Sequence, residues 1–140
     1  MKIWVHFLFS LILAAIVYPI FNWKALLILA GGVLIDVDHY FWYVYKYKKF
    51  NLFDSYKYYM LIVREKEFEK NKNALVIFHS IEFLIVLVVF SFYSEFILVL
   101  TIGLLFHHLL DLIWTYFVPK QFIIEYSIIH WTIKNKIQKA

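Results

Sequence analysis

The sequence contains no cysteine, only three glycines and two prolines, and few charged residues. The absence of cysteine excludes a disulfide scaffold, a thiolate zinc finger and a cysteine nucleophile. Charged residues make up 17% of the chain, against about a quarter in soluble domains, which together with high hydrophobicity excludes a disordered chain. Hydrophobic residues make up 64% of the 140 residues, more than so small a core can bury. The composition indicates a single domain, residues 1–140, that crosses a membrane several times.

Four apolar runs are long enough to cross a bilayer as helices, which takes about 20 residues each. They cover approximately residues 3–21, 23–45, 74–93 and 95–117. Short connections at Asn22 and Ser94 predict two helical hairpins, so the expected fold class is an all-α membrane protein with four transmembrane helices. Residues 54–70 in the central loop and 120–139 in the tail mix apolar residues with lysines, which is typical of amphipathic helices at a membrane interface.

Lysine and arginine are distributed very unevenly about these spans. Thirteen of the 14 basic residues lie at the N-terminus, in the central loop 46–73 or in the tail 118–140, and only Lys24 lies elsewhere. Because basic residues favour the cytoplasmic side, we expect a multi-pass protein of the cell membrane with both termini, the loop and the tail in the cytoplasm. This pattern explains most of the net charge of +4, and without a recognition motif we expect no nucleic-acid partner.

Ionisable residues lie within the predicted spans, where a charged side chain is rare and costs about 2.5–3.5 kcal/mol on insertion scales. They are Asp36, Asp38, Glu82, Asp111, His6, His39, His79, His107 and His108. Apart from Lys24 at an edge, no lysine or arginine lies within the spans to compensate the acids. Carboxylates together with imidazoles suit zinc, manganese or iron. The pattern therefore predicts a metal centre rather than a network of ion pairs.

Depth and spacing both bring these residues together. All lie near the cytoplasmic ends of their spans, judged from the helical rise of about 1.5 Å per residue, although alternate spans run in opposite directions. Residues three or four apart share a helix face. This spacing relates Asp36 to His39, His79 to Glu82, and His107 to Asp111. The glycines at positions 31, 32 and 103 lie about a turn before these groups, and small residues let membrane helices approach closely.

The same segments resemble the motifs of a known family. The family pattern is an early His, then Leu-Pro-Asp-x-Asp-His, then His-Ser, then Gly-xxx-His-xxx-Asp. This chain has His6, Gly31-Gly32-Val33-Leu34-Ile35-Asp36-Val37-Asp38-His39, Phe78-His79-Ser80 and Gly103-xxx-His107-xxx-Asp111. In order and spacing these residues, from about 5 to 115, resemble the YdjM-type membrane-bound metal-dependent hydrolases, also called LexA-binding, inner-membrane-associated hydrolases. Ile35 stands in place of the proline, and the arginine and threonine that often precede His-Ser in the family are absent.

The resemblance implies hydrolysis of a phosphoester with one to three divalent metal ions, zinc above all. The expected metal ligands are His6, Asp36, Asp38, His79, His107 and Asp111. Glu82 or Asp36 would accept the proton of the attacking water, while His39 and His108 would orient ligand carboxylates. The depth of the site favours a lipid phosphate at the cytoplasmic face as substrate, with membrane lipids as the partners.

Two other classes of function fit the same residues. A proton or metal-ion transporter also places acids and histidines within spans, although the outer halves, such as residues 11–16 and 97–100, contain no ionisable residue. A non-catalytic membrane module would hold a structural metal. A structural metal site is closed by its ligands, whereas a catalytic site keeps an open position. The oligomeric state is left open by the sequence.

Overall fold

The computed structural model describes residues 2–65, 74–117 and 127–137. These residues form seven α-helices: α1 (Ile3–Phe21), α2 (Leu27–Val33), α3 (Val37–Tyr47), α4 (Leu52–Glu65), α5 (Ile81–Ser91), α6 (Glu95–Phe117) and α7 (Ile128–Ile137). Two 3-10 segments, Asn22–Leu26 and Leu34–Asp36, connect α1 to α2 and α2 to α3. Within the described ranges no β-strand is formed, which confirms the prediction of an all-helical fold.

The first hairpin is formed by α1 and α2, because the chain turns at Asn22. Asn22 has a φ of 52°, a positive value that asparagine adopts more readily than most residues. Residues at similar distances from this turn then meet. Ala14 and Ile28 pack in one buried apolar cluster, and Ser10 lies beside Gly32. The two helices are therefore antiparallel neighbours, as the short connection predicted.

The second hairpin joins α5 to α6, but α5 is shorter than the predicted third span. Thr101 Oγ1 lies 3.4 Å from Leu87 O across this hairpin. The helix begins only at Ile81 because Ser80 caps it, with the Ser80 Oγ accepting a hydrogen bond from Phe83 N at 3.3 Å. Residues 74–80 are not helical. A helix of 11 residues rises about 16 Å, well short of a hydrocarbon core of about 30 Å.

Among the described residues, two helical stretches are long and apolar enough to cross a membrane. They are Ile3–Tyr47, which contains the first hairpin and α3, and Glu95–Phe117, which is α6. The two hairpins are joined at one end by an ion pair between Lys24 and Glu95. The predicted four-span arrangement goes beyond these two stretches and stays a prediction.

Glycines allow α2 and α6 to cross with their backbones in contact. A Cβ atom on Gly31 would lie 2.2 Å from Leu100 O, and one on Gly103 would lie 2.6 Å from Ile28 O. Both distances are far below van der Waals contact, so any larger residue would force the helices apart. The crossing brings the C-terminal end of α2 beside the middle of α6, next to His107.

The two predicted amphipathic segments are helical over residues 54–65 and 128–137. Helix α4 packs on α3 through one face, on which Ser55 and Ile62 are buried and the Tyr59 hydroxyl donates to His39 O at 2.9 Å. Helix α7 lies within the predicted tail segment and is attached at its N-terminus to Glu82 of α5. The remainder of both predicted segments, residues 66–70, 120–126 and 138–139, lies outside the described residues.

Candidate metal centre

Seven of the nine histidines and acids predicted from sequence converge near the crossing of α2 and α6. In the part of the chain that the structure describes, three groups have ligand atoms that lie within 4.8 Å of one another and could hold a metal ion. They are His6, His107 and Asp111; Asp36, His79 and His107; and Asp38, His39 and His79. The residues of these groups come from five parts of the chain: α1, the 3-10 segment Leu34–Asp36, α3, the segment before α5, and α6. The fold thus assembles residues that are up to 105 positions apart in the sequence.

The central group has the dimensions of a metal site. His79 Nε2 and His107 Nε2 lie 3.1 Å apart, and Asp36 Oδ1 lies 3.6 Å from each of them. Zinc–nitrogen bonds of about 2.0–2.1 Å in tetrahedral geometry place two ligand nitrogens about 3.3 Å apart. Both imidazoles are buried. One cation could therefore contact all three ligand atoms with little rearrangement.

The hydrogen bonds of the two imidazoles favour a proton or a metal ion between their Nε2 atoms. His79 Nδ1 lies 2.9 Å from Asp38 Oδ2, and His107 Nδ1 lies 2.9 Å from Gly32 O. A carboxylate or carbonyl oxygen only accepts, so each Nδ1 carries the proton, and in a neutral ring Nε2 then carries a lone pair. Two lone pairs face each other across 3.1 Å. This arrangement is repulsive unless a proton or a metal ion lies between the two nitrogens.

Asp38 fixes His79 in place rather than pointing at the central group. Its Oδ2 also accepts a hydrogen bond from Phe78 N at 3.1 Å, so one carboxylate oxygen ties the non-helical segment before α5 to the start of α3. The other oxygen, Oδ1, is buried without a hydrogen-bond partner, as is Nδ1 of His39. Buried polar atoms in native proteins are normally satisfied. A second cation in the Asp38–His39–His79 group is one way to satisfy them.

Asp111 joins His6 to His107, which also belongs to the central group. Its Oδ1 lies 3.2 Å from His6 Nε2, and its Oδ2 lies 3.3 Å from His107 Nε2. The rings of His6 and His107 are stacked, with centroids 4.0 Å apart. His6 is therefore part of the cluster, as the sequence predicted. It packs against His107, the imidazole that belongs to two of the three groups.

The two histidines expected to orient ligands lie differently. His39 Nε2 is 3.7 Å from Asp36 Oδ1, and its ring lies 5.1 Å from that of His79. His108 Nδ1 lies 2.9 Å from Leu104 O of its own helix, and its Nε2 is 3.5 Å from His79 O. His39 thus lies near a ligand carboxylate, whereas both of these His108 contacts are with backbone carbonyl oxygens.

Glu82 does not join the cluster, which argues against its expected role as proton acceptor. Its carboxylate accepts hydrogen bonds from Ser127 Oγ at 2.6 Å, Ile128 N at 3.1 Å and Ile129 N at 3.3 Å. These groups form the N-terminus of α7, where unpaired backbone N–H groups and the helix dipole favour a negative charge. Ser127 Oγ also accepts from His130 N at 3.1 Å, the usual sign of a helix cap.

Tyr59 is a residue of this region that the sequence did not single out. Its hydroxyl donates to His39 O, and its ring lies 5.1 Å from the His39 ring. Burial raises the pKa of Tyr59, so the hydroxyl keeps its proton and stays a donor. The available signal was its helical spacing from Ser55 and Ile62, which defines the buried face of α4.

The fold and the site define a small helical protein whose long apolar helices carry a buried cluster of histidines and aspartates fit to hold a metal ion. No protein-family model, curated protein or solved structure matches the chain.

Proposed function

We propose that this protein is a membrane-embedded, metal-dependent hydrolase that acts on a phosphoester, a lipid phosphate, at the cytoplasmic face of the cell membrane. The observation that carries the proposal is the group Asp36, His79 and His107, whose ligand atoms lie 3.1–3.6 Å apart. Three protein ligands leave a position for water or substrate, as in catalytic zinc sites, whereas structural sites use four. This supports an enzyme over a module with a structural metal.

Each residue around this group has a role that its contacts define. Asp38 and Gly32 accept from the two Nδ1 atoms and so hold each Nε2 toward the site, an arrangement that increases the basicity of ligand imidazoles. A divalent ion, zinc or alternatively manganese or iron, would lower the pKa of a bound water to about 7 and stabilise charge on phosphoryl oxygens. The flanking groups allow one to three ions.

Asp111 is better placed than Glu82 to accept the proton of the attacking water. A proton acceptor must lie in the site and must also pass the proton to solvent. The side chain of Asp111 is 29% exposed, compared with 18% for Asp36 and 5% for Asp38. Asp36 is committed to the two Nε2 atoms, whereas Asp111 reaches the same His107 nitrogen from the more open side.

The charge pattern supports a multi-pass arrangement with both termini in the cytoplasm. Lys2 precedes α1, Lys46 and Lys48 lie at the end of α3, and the single basic residue at the opposite end, Lys24, is paired with Glu95. His6 lies one turn into α1, so the cluster lies near the cytoplasmic surface, within reach of a lipid headgroup. Toward the other end the buried cluster of Ala14, Ile28 and Val99 is apolar. That apolar barrier favours hydrolysis over transport.

Metal analysis of detergent-purified protein tests the first step of the proposal. We expect about one or more divalent ions per chain, and their loss from the His107→Ala and Asp36→Ala variants, since both remove ligands of the central group. His130→Ala is the matched control, because His130 lies in α7 outside the three groups. Wild-type protein without stoichiometric metal, or undiminished metal in His107→Ala, would overturn the proposal.

Phosphate release from lipid phosphates in mixed micelles tests the chemistry. We expect hydrolysis that requires the metal and is lost in Asp36→Ala. Loss of activity in Asp111→Ala with the metal retained would support Asp111 as proton acceptor. Hydrolysis that survives both substitutions would assign the activity to a contaminant, and ion flux across proteoliposomes without hydrolysis would favour the transporter.

A further inference from the structure

A groove separate from the metal centre lies between the N-terminal end of α1 and the outer face of α4. Its volume is about 680 Å³, and its lining includes the basic residues Lys2, Lys57 and Arg64 and the apolar residues Met60 and Leu61. None of its lining residues belongs to the three histidine–aspartate groups. The groove is therefore a candidate binding site distinct from the metal centre.

Helix α4 presents this face outward because its opposite face is held by α3. Ser55 and Ile62 are buried there, and Tyr59 donates to His39 O from the same side. The outward side consequently carries exposed apolar residues, among them Tyr56 and Leu61, together with basic residues. Apolar and basic residues on one helix face are typical of helices that lie in the headgroup region of a bilayer.

The charges in the groove favour an anion. Among the described residues, three basic side chains and one acid, Asp54, line the groove. Arg64 donates to Glu65 through Nε at 2.8 Å, a contact that leaves the two terminal NH₂ groups of the guanidinium as further donors. Lys57 is held over the Phe53 ring, 4.6 Å from its centroid, so its ammonium group is oriented without being neutralised.

We propose that this groove binds the headgroup of an anionic phospholipid, with the phosphate at Lys2, Lys57 and Arg64 and the start of an acyl chain along Met60 and Leu61. The juxtaposition of cations with an apolar floor is what distinguishes an amphiphile from a free anion, because inorganic phosphate gains nothing from the apolar residues. The binding does not depend on hydrolysis at the metal centre, so the two proposals stand or fall separately.

A general attraction of lysines for anionic lipid makes a different prediction from a defined groove. If only the number of charges matters, any two basic residues on the cytoplasmic side are equivalent. If the groove binds the headgroup, the position matters. Lys57→Gln with Arg64→Gln removes two charges from the groove, whereas Lys48→Gln with Lys49→Gln removes two charges from the nearby connection between α3 and α4, which does not line it.

Native mass spectrometry of the detergent-purified full chain can count bound lipid. We expect phosphatidylglycerol to be retained in preference to phosphatidylcholine, and retention to weaken about fivefold per groove cation removed, hence about 25-fold in the Lys57→Gln/Arg64→Gln variant. The Lys48→Gln/Lys49→Gln control should stay within about twofold of wild type, because its charges lie outside the groove.

Further measurements distinguish binding in the groove from a general attraction of charges and from binding of a free anion. Leu61→Ser should weaken phosphatidylglycerol retention while leaving all charges in place. Sodium chloride should weaken the binding of phosphatidylglycerol to the wild type but not that of phosphatidylcholine, a measurement that needs no variant to fold. Equal loss in both double variants, equal retention of the two lipids, or full competition by inorganic phosphate would each overturn the proposal.

Discussion

Replacement of Gly31 by alanine should separate α2 from α6. The added Cβ atom would lie 2.2 Å from Leu100 O and 2.9 Å from Leu104 N. Both are backbone atoms of α6, so no change of rotamer can relieve the clash. Ordinary contact begins near 3.4 Å, and the two helices must therefore part by about 1 Å at this point.

A movement of this size should weaken metal binding. Asp36 follows α2 in the chain, whereas His107 is carried by α6, so the parting acts directly on the 3.6 Å separation of Asp36 Oδ1 and His107 Nε2. It also stretches the 2.9 Å contact between His107 Nδ1 and Gly32 O. Metal sites tolerate deviations of about 0.2 Å in ligand distance. Loss of the orienting contact alone costs about 10- to 100-fold in affinity.

Gly32 offers a matched control, because a Cβ atom there meets a side chain instead of a backbone. It would lie 2.1 Å from Ser10 Oγ and 3.0 Å from Ser10 Cβ. Ser10→Gly removes both atoms, at a cost of about 1 kcal/mol for glycine within a helix. The Gly32→Ala/Ser10→Gly double variant should therefore recover most of the metal binding that Gly32→Ala loses, whereas removal of a side chain cannot rescue Gly31→Ala.

Competition with a chromophoric chelator measures metal affinity in these variants, and far-UV circular dichroism checks that their helix content is unchanged. Gly31→Ala should lose at least about tenfold in affinity. Wild-type affinity in a folded Gly31→Ala protein would refute the reasoning, since it would mean that the helix crossing does not position the ligands.

Three further variants test individual contacts. Glu82→Gln should speed hydrogen exchange of the α7 amides without loss of metal, because an amide has only one acceptor oxygen and the donors of α7 now use two. Loss of metal would instead indicate that Glu82 is a metal ligand. Asp38→Asn should weaken metal affinity about 10- to 100-fold in chelator competition, and unchanged affinity would contradict its role in orienting His79. Tyr59→Phe should lower the free energy of unfolding by about 1 kcal/mol, through loss of the bond to His39 O; an unshifted denaturation midpoint would exclude that contribution.

The sequence predicted the elements that are set by local chemistry. Helix α1 begins and ends at the predicted residues, 3–21, and α6 begins at the predicted Glu95, because long apolar runs bounded by turn residues determine them. It did not predict the late start of α5 at Ile81. That start depends on the Ser80 cap and on Asp38, which accepts from Phe78 N across 40 positions of the chain. Hydropathy contains no information about such a contact.

Most residues of the cluster were predicted from their residue types. The sequence did not predict that Asp36 and Asp38 contact different nitrogens of His79. On a regular helix, side chains two positions apart point about 200° from each other. Here the 3-10 segment Leu34–Asp36 ends just before α3 begins, and the two carboxylates contact opposite nitrogens of one ring. Asp36 faces His79 Nε2 at 3.6 Å, and Asp38 faces Nδ1 at 2.9 Å.

The position of Glu82 shows which of the predicted acids need a metal ion. Glu82 does not, because the N-terminus of α7 compensates its charge. An acid in an apolar segment can be compensated by a basic residue, a proton or a metal, and apart from Lys24 the predicted spans contain no lysine or arginine. A helix N-terminus is a further option, because its backbone N–H groups neutralise a carboxylate without any charged side chain, and Glu82 uses it. The other three acids each lie within 3.7 Å of a histidine nitrogen. Since two of those imidazoles already donate elsewhere through Nδ1, a cation between their Nε2 atoms accounts for the arrangement.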